Sequence, residues 1–248
     1  MSNKTALIVC LGICLLLSSC ALKKSPSPPP GPEGQDFNFY FRQGIASMNQ
    51  GDYEAALERF GEALALNPDS ARAHNLRGVA FFRLRDFANA EEEFRKAVAL
   101  DTSYAGAYNN LGSVLFARRQ FDRAADMFKK ALSLSPDSVS ALYSLGTLLL
   151  LQGKSEEGMS YLTRAIERDP DFLEKHPAVV VNLPSSGAEM PEVYFTYAEV
   201  YAARGDAGKT AEYLEKARRA GFHDWERIAK EKQFDTVRDD PRIKEFIR

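Results

Sequence analysis

The sequence predicts an all-α solenoid of stacked helix pairs. Three observations carry this: a fixed 34-residue period, small residues kept in register with large ones, and proline at the ends of units. The period shows where alanine stands before a large aliphatic residue: Ala63-Leu64, Ala97-Val98, Ala131-Leu132 and Ala165-Ile166 follow one another at steps of 34. A constant period of roughly 20–50 residues marks a stacked-repeat architecture, in which each unit buries its apolar face only against its neighbours. Small residues recur at Gly44, Gly78, Gly112 and Gly146, and again at Ala56, Ala90, Ala124 and Gly158. A large residue recurs at Phe60, Phe94, Phe128 and Leu162. Proline closes three units, at Pro68, Pro136 and Pro170, with Thr102 in the remaining one.

The units run at about 37–70, 71–104, 105–138 and 139–172. Each holds two windows with apolar residues at i, i+3, i+4 and i+7, the spacing of one helical face. In the third unit these are Tyr108, Leu111, Leu115 and Phe116, then Ala124, Phe128, Ala131 and Leu132. Glycine inside a helix costs ~0.5–1 kcal/mol against alanine, so four in register predict a close approach of two helices. Proline after the second window ends it, because the residue before proline is pushed out of the helical region. The fourth unit reads as looser, with Ser155 in place of an aromatic and Gly158 in place of alanine.

These residues resemble the tetratricopeptide repeat, best in Tyr108, Asn109, Asn110, Leu111, Gly112, Phe121, Ala124, Phe128, Ala131, Leu132 and Pro136. The resemblance implies a right-handed solenoid of about five helix-turn-helix repeats. It also implies that the first helix of each unit lines a concave groove that binds a protein segment. Carried over by register, the groove positions are Asn38, Phe41 and Met48, then Arg72, Asn75 and Phe82, then Asn109, Asn110, Ser113 and Phe116, and finally Tyr143, Thr147 and Leu150. Asn75 and Asn109 stand one period apart and are expected to form a short ladder whose amides pair with an extended peptide backbone. Phe82, Phe116 and Leu150 have a second reading, as packing between successive first helices.

The chain before the repeats differs in kind. Lys4 precedes an apolar run of about twelve residues ending at Leu17, too short to cross a bilayer at ~20, which reads as a secretory signal over 1–19. Leu17, Ser18, Ser19 and Cys20 resemble a bacterial lipobox, implying cleavage before Cys20 and lipidation of its thiol. Ala21 after it favours the outer membrane over the inner. Residues 20–36 are rich in proline, serine and glycine, and read as an extended tether. The other cysteines, Cys10 and Cys14, fall in the signal, so the mature domain has no thiol for a disulfide or a metal.

After the fourth unit, 173–190 carries Pro177, Pro184 and a Ser185-Ser186-Gly187 cluster, and reads as an insertion. A divergent fifth unit follows over 191–220. Residues 221–248, with Trp225, Ile228, Phe234, Val237, Ile243 and Phe246, read as a helical cap, and Asp240-Pro241-Arg242 as the start of its last helix.

Little in the chain suggests catalysis. Over 248 residues the formal charge is −2, which argues against a nucleic-acid footprint. His74, His176 and His223 lie in different units, without metal-ligand spacing. Glu91-Glu92-Glu93 and Glu156-Glu157 are expected to be solvated faces. The reading is a non-catalytic, lipid-anchored interaction scaffold of the cell envelope, facing the periplasm or exterior, with a protein partner and no cofactor. Two alternatives stand beside it: an envelope enzyme or its activating subunit using His176 and Glu174, and a structural module that self-associates.

Overall fold

The structure is a computed structural model that describes residues 36–175 and 190–247. The signal, Cys20, the tether up to Gln35, and 176–189 of the expected insertion lie outside the described residues. Within them every regular element is helical. Eight helices form four consecutive pairs: α1 (Phe37–Gln50) with α2 (Tyr53–Leu66), α3 (Ala71–Arg83) with α4 (Phe87–Leu100), α5 (Ala105–Ala117) with α6 (Phe121–Leu134), and α7 (Val139–Leu151) with α8 (Ser155–Arg168). A short helix α9 (Phe172–Lys175) follows. The fifth pair is α10 (Met190–Ala203) with α11 (Ala207–Ala220), and the cap holds α12 (Glu226–Lys230), a 3-10 turn (Lys232–Phe234) and α13 (Pro241–Ile247).

Local chemistry sets the helix ends. Asp36, Asp52, Ser70, Asp86 and Asp206 each accept a hydrogen bond from the backbone N–H three residues on, satisfying a donor that the first turn leaves free. Between the paired helices the chain turns through one left-handed residue per unit. That residue is Gly51, Gly153 or Gly205 in units one, four and five, but Arg85 (φ 62°) and Arg119 (φ 61°) in units two and three. Loops containing Pro68 and Pro136, and the proline-free stretch 101–104, return the chain from a second helix to the next first helix.

Packing inside a pair follows the small-on-large register. A Cβ added at Gly112 would lie 2.5 Å from a ring carbon of Phe128, and the same meeting recurs at 2.6 Å for Gly44 on Phe60 and 2.7 Å for Gly78 on Phe94. The three phenylalanines are fully buried. The fourth pair corrects the expectation of a looser unit. A Cβ on Gly158 would lie 2.8 Å from the carbonyl oxygen of Gly146, so the two backbones come into direct contact there. Leucine at 162, smaller than phenylalanine, lets the helices close, and glycine at 158 removes the last obstacle.

The largest core cluster joins units four and five to the cap. Phe222 stacks on Phe195 at 4.2 Å, and Phe234 packs on the same ring at 5.6 Å. Trp225 lies edge-on to Phe222 and 5.3 Å from Phe246. Asp240 accepts from the backbone N–H of Arg242, setting the start of α13 where the sequence placed it. The C-terminal segment therefore covers the apolar end of the array.

Two carboxylates on α4 overturn the expectation of a solvated acidic run. Glu92 is exposed, but Glu91 and Glu93 are 2% and 3% exposed. Glu93 accepts from Arg77 (2.7 Å) and sits 2.8 Å from His74 Nδ1, whose Nε2 lies 2.9 Å from the Pro68 carbonyl. Burial works against ionisation, but hydrogen bonds from His74, Arg77 and Lys96 prevail and bring the Glu93 carboxyl down to about 2. His74 is thus bound through both ring nitrogens inside the junction of units one and two, and has none left for a metal.

Candidate groove of the first helices

The candidate site is the face presented by α1, α3 and α5. At its start the Arg72 guanidinium lies over the Phe41 ring at 5.2 Å, tying the second first helix to the first. Phe41 also stacks on Phe37 and is itself 7% exposed, so its role is to support Arg72 rather than to offer a free ring. Arg72 is exposed and Met48 half-buried.

The expected Asn75–Asn109 ladder takes a different form. Asn75 Oδ1 accepts from Asn110 Nδ2 at 2.9 Å, and Asn75 Nδ2 donates to the Tyr104 hydroxyl at 3.2 Å. Asn75 is 4% exposed: it points into the joint between units, and the residue meeting it across that joint is Asn110. Tyr104 ends the second unit, and burial raises its hydroxyl pKa, with Arg72 and Asn75 pulling the other way. The chain Tyr104–Asn75–Asn110 therefore locks α3 to α5 beneath the groove. Asn109 stays half-buried on the face, its carbonyl accepting from Ser113 Oγ at 3.0 Å. Its side-chain Oδ1 is buried and finds no hydrogen-bond partner among the described residues.

The aromatic positions divide. Phe82 and Phe116 each meet the first residue of the following helix, Phe87 and Phe121, at 5.5 Å and an interplanar angle of 57° in both units. Phe82 remains half-buried, whereas Phe116 is buried. Their second reading, as packing, is right in kind, although the partner is the paired second helix. Tyr143 is a correction. It is fully buried, stacks on Phe172 at 5.1 Å and leans on Tyr197, because α9 and α10 fold over it. Thr147 is buried likewise, 2.7 Å from the Tyr197 hydroxyl. Among the groove positions, those left unburied are Asn38, Met48, Arg72, Phe82, Asn109, Asn110 and Ser113 and, in unit four, Leu150, so the open part lies mainly on units one to three.

Sequence reasoning missed Tyr104, Tyr197 and the Glu91 and Glu93 clusters. Only the local pairs Glu91–Arg95 and Glu93–Lys96, four and three residues apart on one helix, gave a visible signal. No group of three or more histidine, cysteine, aspartate or glutamate side chains among the described residues could hold a metal.

The period, the pairing and the glycine register meet in a family match. The tetratricopeptide repeat model matches residues 41–105 and 109–171, more than half of the chain. The chain belongs to the tetratricopeptide repeat family. This repeat array resembles the repeat protein TTC0263 from Thermus thermophilus at TM-score 0.53 and 20% identity, over 78% of this chain and 96% of that one. It resembles the MamA protein at TM-score 0.52 and 22% identity, over 79% and 95%. It also resembles YrrB, described as a repeat protein with an unusual peptide-binding site, at TM-score 0.50 and 22% identity, over 75% and 87%. A mutant O-GlcNAc transferase of Thermobaculum terrenum matches at TM-score 0.51 and 25% identity, over 53% of this chain and 26% of that one. No curated protein matches the sequence. A tetratricopeptide array suggests protein–protein interaction, and the family is generally non-catalytic.

Proposed function

We propose that this repeat protein is a non-catalytic scaffold, anchored by lipid at Cys20 in the bacterial cell envelope, that binds a protein segment on the first-helix face of units one to three. The supporting observation is the division of that face. Asn75, Phe41 and Phe116 are spent on fixing the helices and Asn110 Nδ2 is held by Asn75, while Arg72 is exposed and Asn109 and Ser113 stay half-buried on the face beside Met48 and Phe82. A fixed frame with amide, hydroxyl and guanidinium groups suits an extended backbone, whose own N–H and C=O groups need partners. The lipobox-like Leu17–Cys20 supports the anchor, and Ala21 supports an outer-membrane location. YrrB, which shares the fold, is itself described by a peptide-binding site.

Capture in native cells tests this. The anchored wild type is crosslinked and compared with Arg72→Glu/Asn109→Ala, chosen because both residues lie on the open face and neither is buried. A discrete envelope protein captured by the wild type and lost in the variant is the expected result. Unchanged capture would place binding elsewhere. For the anchor, Cys20→Ser is expected to abolish metabolic incorporation of an alkyne-labelled fatty acid; persistent labelling would refute lipidation at that residue.

A further inference from the structure

The edge where each first helix turns into its second helix concentrates arginine in units two and three. Glu91, 2% exposed, is the centre of one cluster. Arg95 and Arg118 each donate to one of its oxygens, and the Arg123 guanidinium lies 4.0 Å away. These three arginines come from α4, the α5 terminus and α6, and their side chains are 50%, 41% and 56% exposed. One buried carboxylate thus holds three cations in place, leaving a surplus of positive charge. Each guanidinium has five N–H donors, most of which stay directed at solvent. The nearby acids on this edge keep their charges, Asp86 accepting from Asn89 and Asp122 from Gln152 at 3.3 Å, both neutral amides, so with Arg85 and Arg119 five arginines stand against Glu91, Asp86 and Asp122.

A second feature extends the same edge. Arg85 and Arg119 occupy the left-handed turn position that glycine fills in units one, four and five. A non-glycine residue at positive φ carries a steric cost, and local folding gives no reason to prefer arginine there. Both guanidinia are laid over the first ring of the next helix, Arg85 at 5.6 Å from Phe87 and Arg119 at 5.7 Å from Phe121. Both residues are exposed and neither makes an ion pair among the described residues. The same device, repeated one unit apart, sets an exposed arginine over a half-buried phenylalanine.

We propose that this arginine edge binds an acidic segment of a partner polypeptide. The segment's carboxylates accept from the free donors of Arg95, Arg118 and Arg123, and the row continues to Arg85 and Arg119. Guanidinium and carboxylate match in a two-point geometry that an ammonium cannot supply. The aromatic rings between the arginines accept the aliphatic parts of such a segment. A polypeptide fits better than a membrane surface because the basic stretch is short: the same edge carries exposed Asp52 and Glu54 in unit one and exposed Glu156 and Glu157 in unit four. A flat anionic surface spanning the array would be repelled at both.

The test is fluorescence anisotropy of a labelled oligoglutamate peptide with the full chain in detergent at low salt. Arg85→Gly/Arg119→Gly puts at both turns the residue that the other units carry, so its melting temperature is expected to be unchanged or raised. Binding is expected to weaken about tenfold with a shallower salt dependence, as two charge-assisted contacts are lost. Arg123→Gln is expected to weaken binding as well, while Arg72→Glu in the groove leaves it unchanged, separating this edge from the groove. The proposal is overturned if the wild type fails to bind, or if the glycine variant binds as the wild type does. It is equally overturned if anionic phospholipid vesicles or inorganic phosphate displace the peptide and bind more tightly through the same arginines.

Discussion

Gly112 and Glu93 show how single residues hold the array. Alanine at 112 would press its Cβ against the Phe128 ring at 2.5 Å, inside a helix pair with no room to yield. Gly112→Ala is therefore expected to destabilise by about 1–3 kcal/mol despite its better helix propensity, whereas Gly61→Ala, with open space around it, stabilises by up to ~1 kcal/mol. Thermal melts of the two variants check both signs. Glu93 acts at low pH. Its folded carboxyl is held at about 2, below the ordinary glutamate value of 4.5. The stability it contributes is present above the unfolded value and is lost as pH falls from there towards about 2. Glu93→Gln should flatten the acid limb of a melting-temperature profile; an unchanged limb would mean that the His74–Glu93–Arg77 cluster contributes nothing.

At the scale of elements, the join between α10 and the cap has its own pH dependence, of opposite sign. Arg227 donates to Glu199 (2.9 Å), Glu192 (2.9 Å) and Glu231 (2.6 Å), with its guanidinium 4.3 Å from the Phe195 ring centre. One buried oxygen on each of Glu199 and Glu231 has no N–H to accept from. Burial first, and the facing Glu231 after it, push the Glu199 carboxyl well above the usual carboxylate range. Arg238, packed alongside, donates to the Ile228 and Glu231 carbonyls rather than to these carboxyls. Because the folded pKa is raised, the stabilisation is complete below the unfolded value and is lost as pH rises through the raised folded value. Glu199→Gln keeps the cap docked without a titrating proton, so its melting temperature should fall less than the wild type's from about pH 5 to pH 8. Equal slopes would show that Glu199 does not titrate above the ordinary carboxylate range.

The helix pairs were legible in the sequence because both halves of each contact recur at the same period. Gly44, Gly78 and Gly112 face Phe60, Phe94 and Phe128, and each pairing could be read from register alone. Contacts made once were not legible. Asn75 meets Asn110 rather than its periodic counterpart Asn109, and Tyr104 reaches it from the end of the preceding unit. Tyr143 occupies a groove position by register, but α9 and α10 bury it, and α9 precedes a stretch where the period is broken. Glu91 looked like part of a solvated acidic run because its burial depends on Arg118 and Arg123, far along the chain and in another unit.

At the scale of the whole molecule, the chain is an array capped at its C-terminal end, with an open polar face on units one to three and an arginine edge beside it. The central claim is that a protein segment lies on that face. The most direct test is a photoactivatable crosslinking residue at Arg72, at Asn109, or at Lys129, which is exposed on the second helix α6, each in the anchored protein in living cells. The account predicts one shared partner captured from 72 and 109 and absent from 129. Capture from 129 alone, or equally from all three positions, would contradict it.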